Sequence, residues 1–206
     1  MEHFESYSHW ENIYQLKDTK EVSWYQENPV VSLEMIKQCN LPFNAKIIDI
    51  GGGDSLLADH LLALGFRDLT VLDISETAIE KAKQRLGDRA DLIKWIISDI
   101  VLFQSEEQYD LWHDRATFHF LTQKADIEKY IEVVRSGMEE NGQLVLGTFS
   151  ENGPEKCSGI HIQQYSQNAM TNLFSPYFEK IHCMNVDHTT PFNTVQNFTF
   201  CHFKKR

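Results

Sequence analysis

Asp49, Gly51, Gly52, Gly53 and Ser55 stand together in the stretch Lys46-Ile47-Ile48-Asp49-Ile50-Gly51-Gly52-Gly53-Asp54-Ser55. Glycines let a ligand come close to the main chain, and a helix opening just after them turns its N–H groups toward that ligand. The acid in front of the turn narrows the chemistry, because a carboxylate there repels a pyrophosphate and suits a cationic group. Leu56 occupies the place where a dinucleotide-binding fingerprint needs its third glycine, and no Gly-Lys-Ser/Thr phosphate loop is present. Asp73 closes a second apolar run and Asp99 follows a third. A further polar group, His113, Asp114, Arg115 and His119, lies between two apolar runs. It reads either as an Asp–Arg pair fixing a turn or as a set of substrate contacts that includes a base. Cys157 and His161 sit in a polar stretch of lid length, Ser150 to His161. Cys157, His161, His182, Cys183 and His188 lack the paired spacing of metal ligands, so no metal is expected.

These residues need elements to position them. Ile47, Ile48 and Ile50 predict a buried parallel strand. Ser55 is placed to cap a helix from Leu56 to Leu64, stopped by Gly65. Asp68–Asp73 reads as the second strand, and Ser75 as the cap of a helix running to Leu86 before Gly87. Glu76 and Glu80 at one end of it, with Lys81 and Arg85 at the other, suit the helix dipole. Strands follow at Leu92–Ile97, Tyr109–Asp114 and Gly142–Phe149, with a helix at Lys124–Gly137 before the last of them. Strands alternating with helices require a doubly wound parallel sheet. After a helix at Ser166–Phe174, two alternating stretches, Phe178–Val186 and Val195–Phe203, follow each other without a helix. They form an antiparallel hairpin at one sheet edge.

The first forty residues are rich in aromatics: Phe4, Tyr7, Trp10, Tyr14, Trp24 and Tyr25. Trp10, Ile13 and Tyr14 have helical spacing, and a second helix spans Val30–Gln38 with Pro29 in its first turn. The aromatics pack an N-terminal helical flap, residues 1–40, onto the core, residues 41–206. The alternative to packing alone is that Trp24 or Tyr25 closes over a bound ligand. One domain of 206 residues is expected.

The formal net charge is -11, which disfavours a non-specific nucleic-acid binder. The one basic cluster, Lys204-Lys205-Arg206, reads as a solvated tail. Four well-separated cysteines, no basic-then-apolar leader and no apolar run of membrane length predict reduced thiols in a cytoplasmic protein away from membranes.

The spacing Asp49-x-Gly51-x-Gly53, with Asp73 and Asp99 at the ends of the next two strands, resembles the class I methyltransferases that use S-adenosylmethionine. That resemblance covers about residues 40 to 203. Its one departure is Ser55, where many members have a third glycine. It implies a Rossmann-like sheet of seven strands with a terminal antiparallel hairpin. It also implies cofactor contacts from Asp49, Gly51, Gly52, Gly53, Asp73, Ile74, Asp99 and Ile100, to which the aromatic reading of the flap adds Trp24. Asp73 would hold the ribose hydroxyls, and Asp99 with Ile100 the adenine. The Asp114-Arg115 pair resembles the thiopurine and tellurite-resistance-like small-molecule branch, and the Asn/Asp-Pro-Pro-Tyr/Phe motif of amino-group enzymes is absent. Methyl transfer from a sulfonium requires chiefly alignment and exclusion of water. A thiolate or selenide needs little base, whereas an amine must first lose a proton. The expected function is methylation of a small acceptor, a thiol or other chalcogen preferred, with His113, Asp114, Arg115 and His119 at the transfer end. The expected state is a monomer or weak homodimer. A protein-lysine methyltransferase and a non-catalytic S-adenosylmethionine-binding protein are the competing readings. Loss of Asp49 or Asp73 would favour the non-catalytic one, and both are present.

Overall fold

The computed structural model describes residues 3–206, with side chains described from Ser6 onward. Phe4, one of the N-terminal aromatics, therefore lies outside the described side chains. The elements in chain order are α1 (His3–Leu16), a 3-10 turn (Thr19–Glu21), α2 (Val30–Gln38), β1 (Lys46–Ile50), α3 (Leu57–Leu64), β2 (Asp68–Asp73), α4 (Glu76–Leu86), β3 (Ile93–Ile97), β4 (Tyr109–Arg115), α5 (Lys124–Gly137), β5 (Met138–Phe149), a short hairpin of β6 (Lys156–Cys157) and β7 (Ile160–His161), α6 (Gln167–Phe174), β8 (Phe178–Thr189) and β9 (Val195–Lys205).

Seven strands form one sheet in the order β3-β2-β1-β4-β5-β9-β8. The first five run parallel, and β9 pairs antiparallel with both β5 and β8. This is the Rossmann-like sheet with a terminal antiparallel pair that the strand pattern predicts. The chain reverses its direction of winding between β1 and β4, and such a switch point leaves a crevice at the carboxyl ends of the strands. Asp49, Asp73 and Asp99 all lie at or just beyond those ends.

Each sheet face is covered by helices, as a parallel sheet requires. One face packs Trp112, Leu144 and Leu146 against Tyr130 and Val134 of α5 and Phe174 of α6. The other packs Ile47, Leu111 and Val145 against Met35 and Ile36 of α2 and Leu57 and Leu61 of α3. Helix ends follow ordinary capping chemistry. The Ser75 hydroxyl accepts from Ala78 N, and Gly65 ends α3 in the left-handed region at φ 110°. Ser55 is displaced one place from its expected role, because Leu56 takes the N-cap position. The Ser55 hydroxyl still accepts from Leu57 N at 3.1 Å. Pro29 likewise stands at the N-cap of α2 rather than inside its first turn.

Two expectations are corrected. Cys183 and Cys201 are not separate reduced thiols but a disulfide across the β8–β9 pair, where they stand directly opposite each other. Lys204 and Lys205 are not a solvated tail. They belong to β9, and the buried Lys205 ammonium donates to Met138 O at 2.8 Å and pairs with Glu140 at 3.0 Å. Among the described residues, no helix is long and apolar enough to cross a membrane.

Candidate active site

The glycine corner is shaped by what surrounds it. Gly51 has φ +63°, and a Cβ there would lie 1.9 Å from the Thr117 hydroxyl oxygen beyond β4. Gly53 has φ +29°, and its Cβ would lie 2.5 Å from an Asp73 carboxylate oxygen. Only glycine satisfies both the backbone and the close approach. Gly51 N donates to Leu72 O at 2.7 Å, which ties the turn to β2.

Asp49 and His113 are register neighbours on the parallel strands β1 and β4. The His113 Nδ1–H donates to the Asp49 carboxylate at 2.7 Å, since a carboxylate only accepts. Its Nε2 lies 2.9 Å from the Ser32 hydroxyl of α2. Both ring nitrogens are therefore engaged, and both side chains of the pair are buried. Asp73 is also buried. Its carboxylate accepts from Ser75 N at 2.8 Å. Burial pushes its carboxyl up to about 7, opposed by that hydrogen bond and assisted by the Asp49 charge. Asp99 turns the chain after β3, accepting from Val101 N at 3.1 Å.

A cavity of about 150 Å³ lies over this corner, reached by Asp73, Ile74, Asp99 and Ile100 on one side and Arg115, Thr117, Phe120 and Cys157 on the other. Trp10, Tyr14 and Trp24 roof it. A smaller adjoining cavity of about 50 Å³ is lined by Asp49, Gly52, Tyr25, Ser32 and His113. The roof rests on itself through edge contacts, Trp10–Trp24 at 5.8 Å and Tyr14–Trp24 at 6.2 Å. Trp24 is held from below, where the Arg115 guanidinium donates to its carbonyl at 2.9 Å. His188, at the far end of β8, donates through Nε2 to Ser23 O at 2.7 Å.

The polar run at the end of β4 does not act as one cluster. Alternation along a strand sends neighbours to opposite faces. His113 and Arg115 face the cavities, while Asp114 points into the core beneath α5. There Asp114 accepts from Tyr130 Oη at 2.7 Å and from Thr117 N and Phe118 N at 3.0 and 3.3 Å. It lines neither cavity, and burial pushes its carboxyl up to about 6 against those three bonds. His119 is buried too. Its Nδ1 accepts from Phe149 N at 3.3 Å, and burial, with Arg115 nearby, pushes the imidazole down to about 3. Asp114 thus holds the turn between β4 and α5, and His119 anchors the end of β5.

Arg115 alone of the four lines both cavities. Its guanidinium lies over the Phe198 ring at 5.1 Å, and its Nη2 is buried without a hydrogen-bond partner. Burial pushes it down to about 10, so it remains charged at neutral pH. Cys157 is buried beside it, and burial pushes its thiol up to about 11, which keeps it protonated. His161 lies outside the main cavity. Sequence reasoning missed Ser32, Thr117, Gln123 and Asp126 as site residues, and Glu11 as a support. The Glu11 carboxylate accepts from the Ser75 hydroxyl at 2.7 Å and from Thr77, capping α4 beside Asp73. The contact spans 64 residues of sequence, so no local signal marks it.

The donor set fits S-adenosylmethionine. Two buried carboxylates, a glycine backbone stripped of Cβ atoms and an aromatic roof match a diol and a cation rather than a phosphate chain.

Residues 48–144 match the model of a methyltransferase domain. Over 106 residues the chain is 39% identical to a malonyl-[acyl-carrier protein] O-methyltransferase of Anoxybacillus flavithermus, covering 51% of this chain and 39% of that protein. Over 88 residues it is 32% identical to an eEF1A lysine and N-terminal methyltransferase of Danio rerio, covering 43% of this chain and 12% of that one. The chain thus spans about two fifths or less of the length of these curated relatives. In fold it is similar to the N-methyltransferase NodS from Bradyrhizobium japonicum in complex with S-adenosyl-L-homocysteine. The TM-score is 0.69 at 17% identity, covering 100% of this chain and 99% of that one. Sheet order and glycine corner agree with that domain match, which spans residues 48–144, just under half of the chain.

Proposed function

We propose that this chain, a single domain with its N-terminal cover, methylates a small acceptor whose nucleophile is already an anion near neutral pH, a thiol or other chalcogen preferred. The observation that carries this reading is the state of the histidines at the transfer end. His113 has both nitrogens engaged, and His119 is a buried neutral ring with Nδ1 turned to the backbone. Neither is positioned to take a proton from an amine. Arg115, charged and with an unsatisfied Nη2, favours an incoming anion instead.

Bound S-adenosylmethionine would supply a methyl group already activated on a sulfonium. The chain's own residues bind, align and exclude water. Asp73 would accept from the ribose hydroxyls. Asp49, oriented by His113, and the Gly51–Gly53 backbone would hold the methionine end. Asp99 and Ile100 would flank the adenine, and Trp24 would close the roof. Arg115 would draw the acceptor inward.

A carboxylate acceptor shares the same charge logic, and the relative from Anoxybacillus flavithermus is an O-methyltransferase by name. The lysine reading has the Danio rerio relative in its favour, but a lysine ammonium would meet the Arg115 guanidinium. Placement in the thiopurine and tellurite-resistance-like branch rests on the Asp114-Arg115 pair. A monomer or weak homodimer working in the cytoplasm, away from nucleic acid, completes the proposal, with the Cys183–Cys201 disulfide removing the reduced-thiol argument for that location.

The test is incubation with methyl-labelled S-adenosylmethionine and, separately, small thiols, selenide, small carboxylates and whole-cell lysate. Label on a thiol or selenide supports the reading. Label confined to a protein band overturns the small-molecule acceptor. Absence of S-adenosylmethionine binding in calorimetry overturns the cofactor assignment.

A further inference from the structure

A third, open cleft of about 620 Å³ adjoins the cofactor cavity, between α1 and the β6–β7 hairpin. It shares Ser6, Trp10, Phe120 and Thr122 with that cavity, so the two lie side by side with the Trp10–Phe120 edge contact at 4.9 Å in their common wall. We propose that this cleft is the acceptor's binding site, and that it takes a flat aromatic molecule carrying no positive charge. The proposal deepens the methyltransferase reading and rests on it.

The chemistry of the lining carries the inference. Trp10, Phe120 and Ile160 offer apolar and aromatic surface, and His9 and His161 stand at the sides. No Lys, Arg, Asp or Glu is among the residues that line it. A lysine-bearing peptide would find no carboxylate there to replace its water. Aromatic rings, by contrast, prefer the edge and offset contacts that Trp10 and Phe120 present. His9 also lines the cleft, and its Nε2 is buried without a hydrogen-bond partner. The cleft is in the size range of small-molecule sites. The neighbouring cavity holds the Arg115 guanidinium, whose Nη2 is unpartnered and suits an anionic nucleophile, among the carboxylates that suit the cofactor. The outer wall is a two-residue turn, Ser158 at φ 50° and Gly159 at φ 80°, that carries Ile160 and His161 on its return strand.

The experiment titrates the full chain, saturated with S-adenosyl-L-homocysteine, with 4-mercaptobenzoate and with benzylamine by calorimetry. The same titrations are run on Ile160→Trp, which fills the cleft. In the wild type, 4-mercaptobenzoate is expected to bind at least tenfold more tightly than benzylamine. Ile160→Trp is expected to weaken 4-mercaptobenzoate at least tenfold while S-adenosyl-L-homocysteine affinity stays within twofold. If Ile160→Trp loses S-adenosyl-L-homocysteine as well, His161→Trp fills the same cleft from the exposed side and must give the expected pattern. Unchanged 4-mercaptobenzoate binding in the folded filling variant, equal binding of benzylamine, or no binding of 4-mercaptobenzoate to the wild type overturns the proposal. Failure of S-adenosyl-L-homocysteine to bind the wild type overturns the cofactor reading instead, and the cleft is then read by the same titrations without it.

Discussion

Asp73 shows at the residue scale how a site opposes stability. Its carboxyl has an ordinary value of 3.8 and rises to about 7 in the folded chain. Between those values the native state holds a proton that the unfolded state has released, so this group's contribution falls as pH rises through the window. Asp73→Asn is therefore expected to stabilise the ligand-free protein at pH 8, by on the order of 1–3 kcal/mol in thermal or denaturant unfolding. The same variant is expected to lose S-adenosylmethionine affinity, because the amide replaces an ionised acceptor. In the wild type, cofactor affinity should fall by up to about tenfold per pH unit below 7, as the carboxylate protonates. A flat profile between pH 5 and 7 would remove Asp73 from the ribose role. Asp114 behaves differently because it touches no cavity. Asp114→Ala strands the Tyr130 hydroxyl and two backbone N–H groups. It should cost about 2–4 kcal/mol in urea unfolding, through buried groups left unpaired.

At the element scale, α1 is fastened to the site it covers. Glu11 caps α4, Lys81 of α4 donates to Lys17 O at 2.6 Å, and the Thr19 hydroxyl bonds Asp54 beside the glycine corner. Removing a cap of this kind costs about 0.5–2 kcal/mol. Glu11→Ala should accordingly raise amide hydrogen exchange across α1 and speed cofactor dissociation several-fold, with little change elsewhere in the exchange map. Uniform loss of protection over the sheet would instead assign Glu11 to global stability. The β8–β9 pair is fastened by Cys183–Cys201, which closes a loop with a sequence separation of 18. Thiol titration of the denatured, unreduced chain should count two thiols, Cys39 and Cys157, and four after reduction. Reduction should lower stability by roughly 2–4 kcal/mol, the range for loops of this size.

The whole molecule depends on its last strand. β9 lies between β5 and β8, and it supplies Phe198, Phe200 and Phe203 to the cores on the two faces of the sheet. Its Phe198 ring also supports the Arg115 guanidinium. Deleting residues 195–206 strips hydrogen bonds from two neighbouring strands at once and opens both cores. Circular dichroism of that truncation should show no cooperative unfolding transition, although the glycine corner and all three strand-end acids remain in the chain.

The sequence by itself determined the order of elements, the parallel sheet with its antiparallel ending, and the placement of Asp49, Asp73 and Asp99 at successive strand ends. These follow from local periodicity, capping residues and glycine positions, which a linear chain carries in full. The disulfide was not legible there, because the register that sets Cys183 opposite Cys201, with Thr189 opposite Val195, appears only once the two strands are paired. Only the tertiary structure decided what the His113–His119 run does. Strand alternation separates Asp114 from its neighbours, and the partners that engage these side chains, Asp49, Ser32, Tyr130, Phe149 and Trp24, come from other elements. Burial likewise exists only once the sheet is covered, and it is burial that lifts the Asp73 carboxyl and lowers the His119 ring. The glycine corner was legible because its chemistry is local. The cleft between α1 and the β6–β7 hairpin was not, because those elements meet only across the folded molecule.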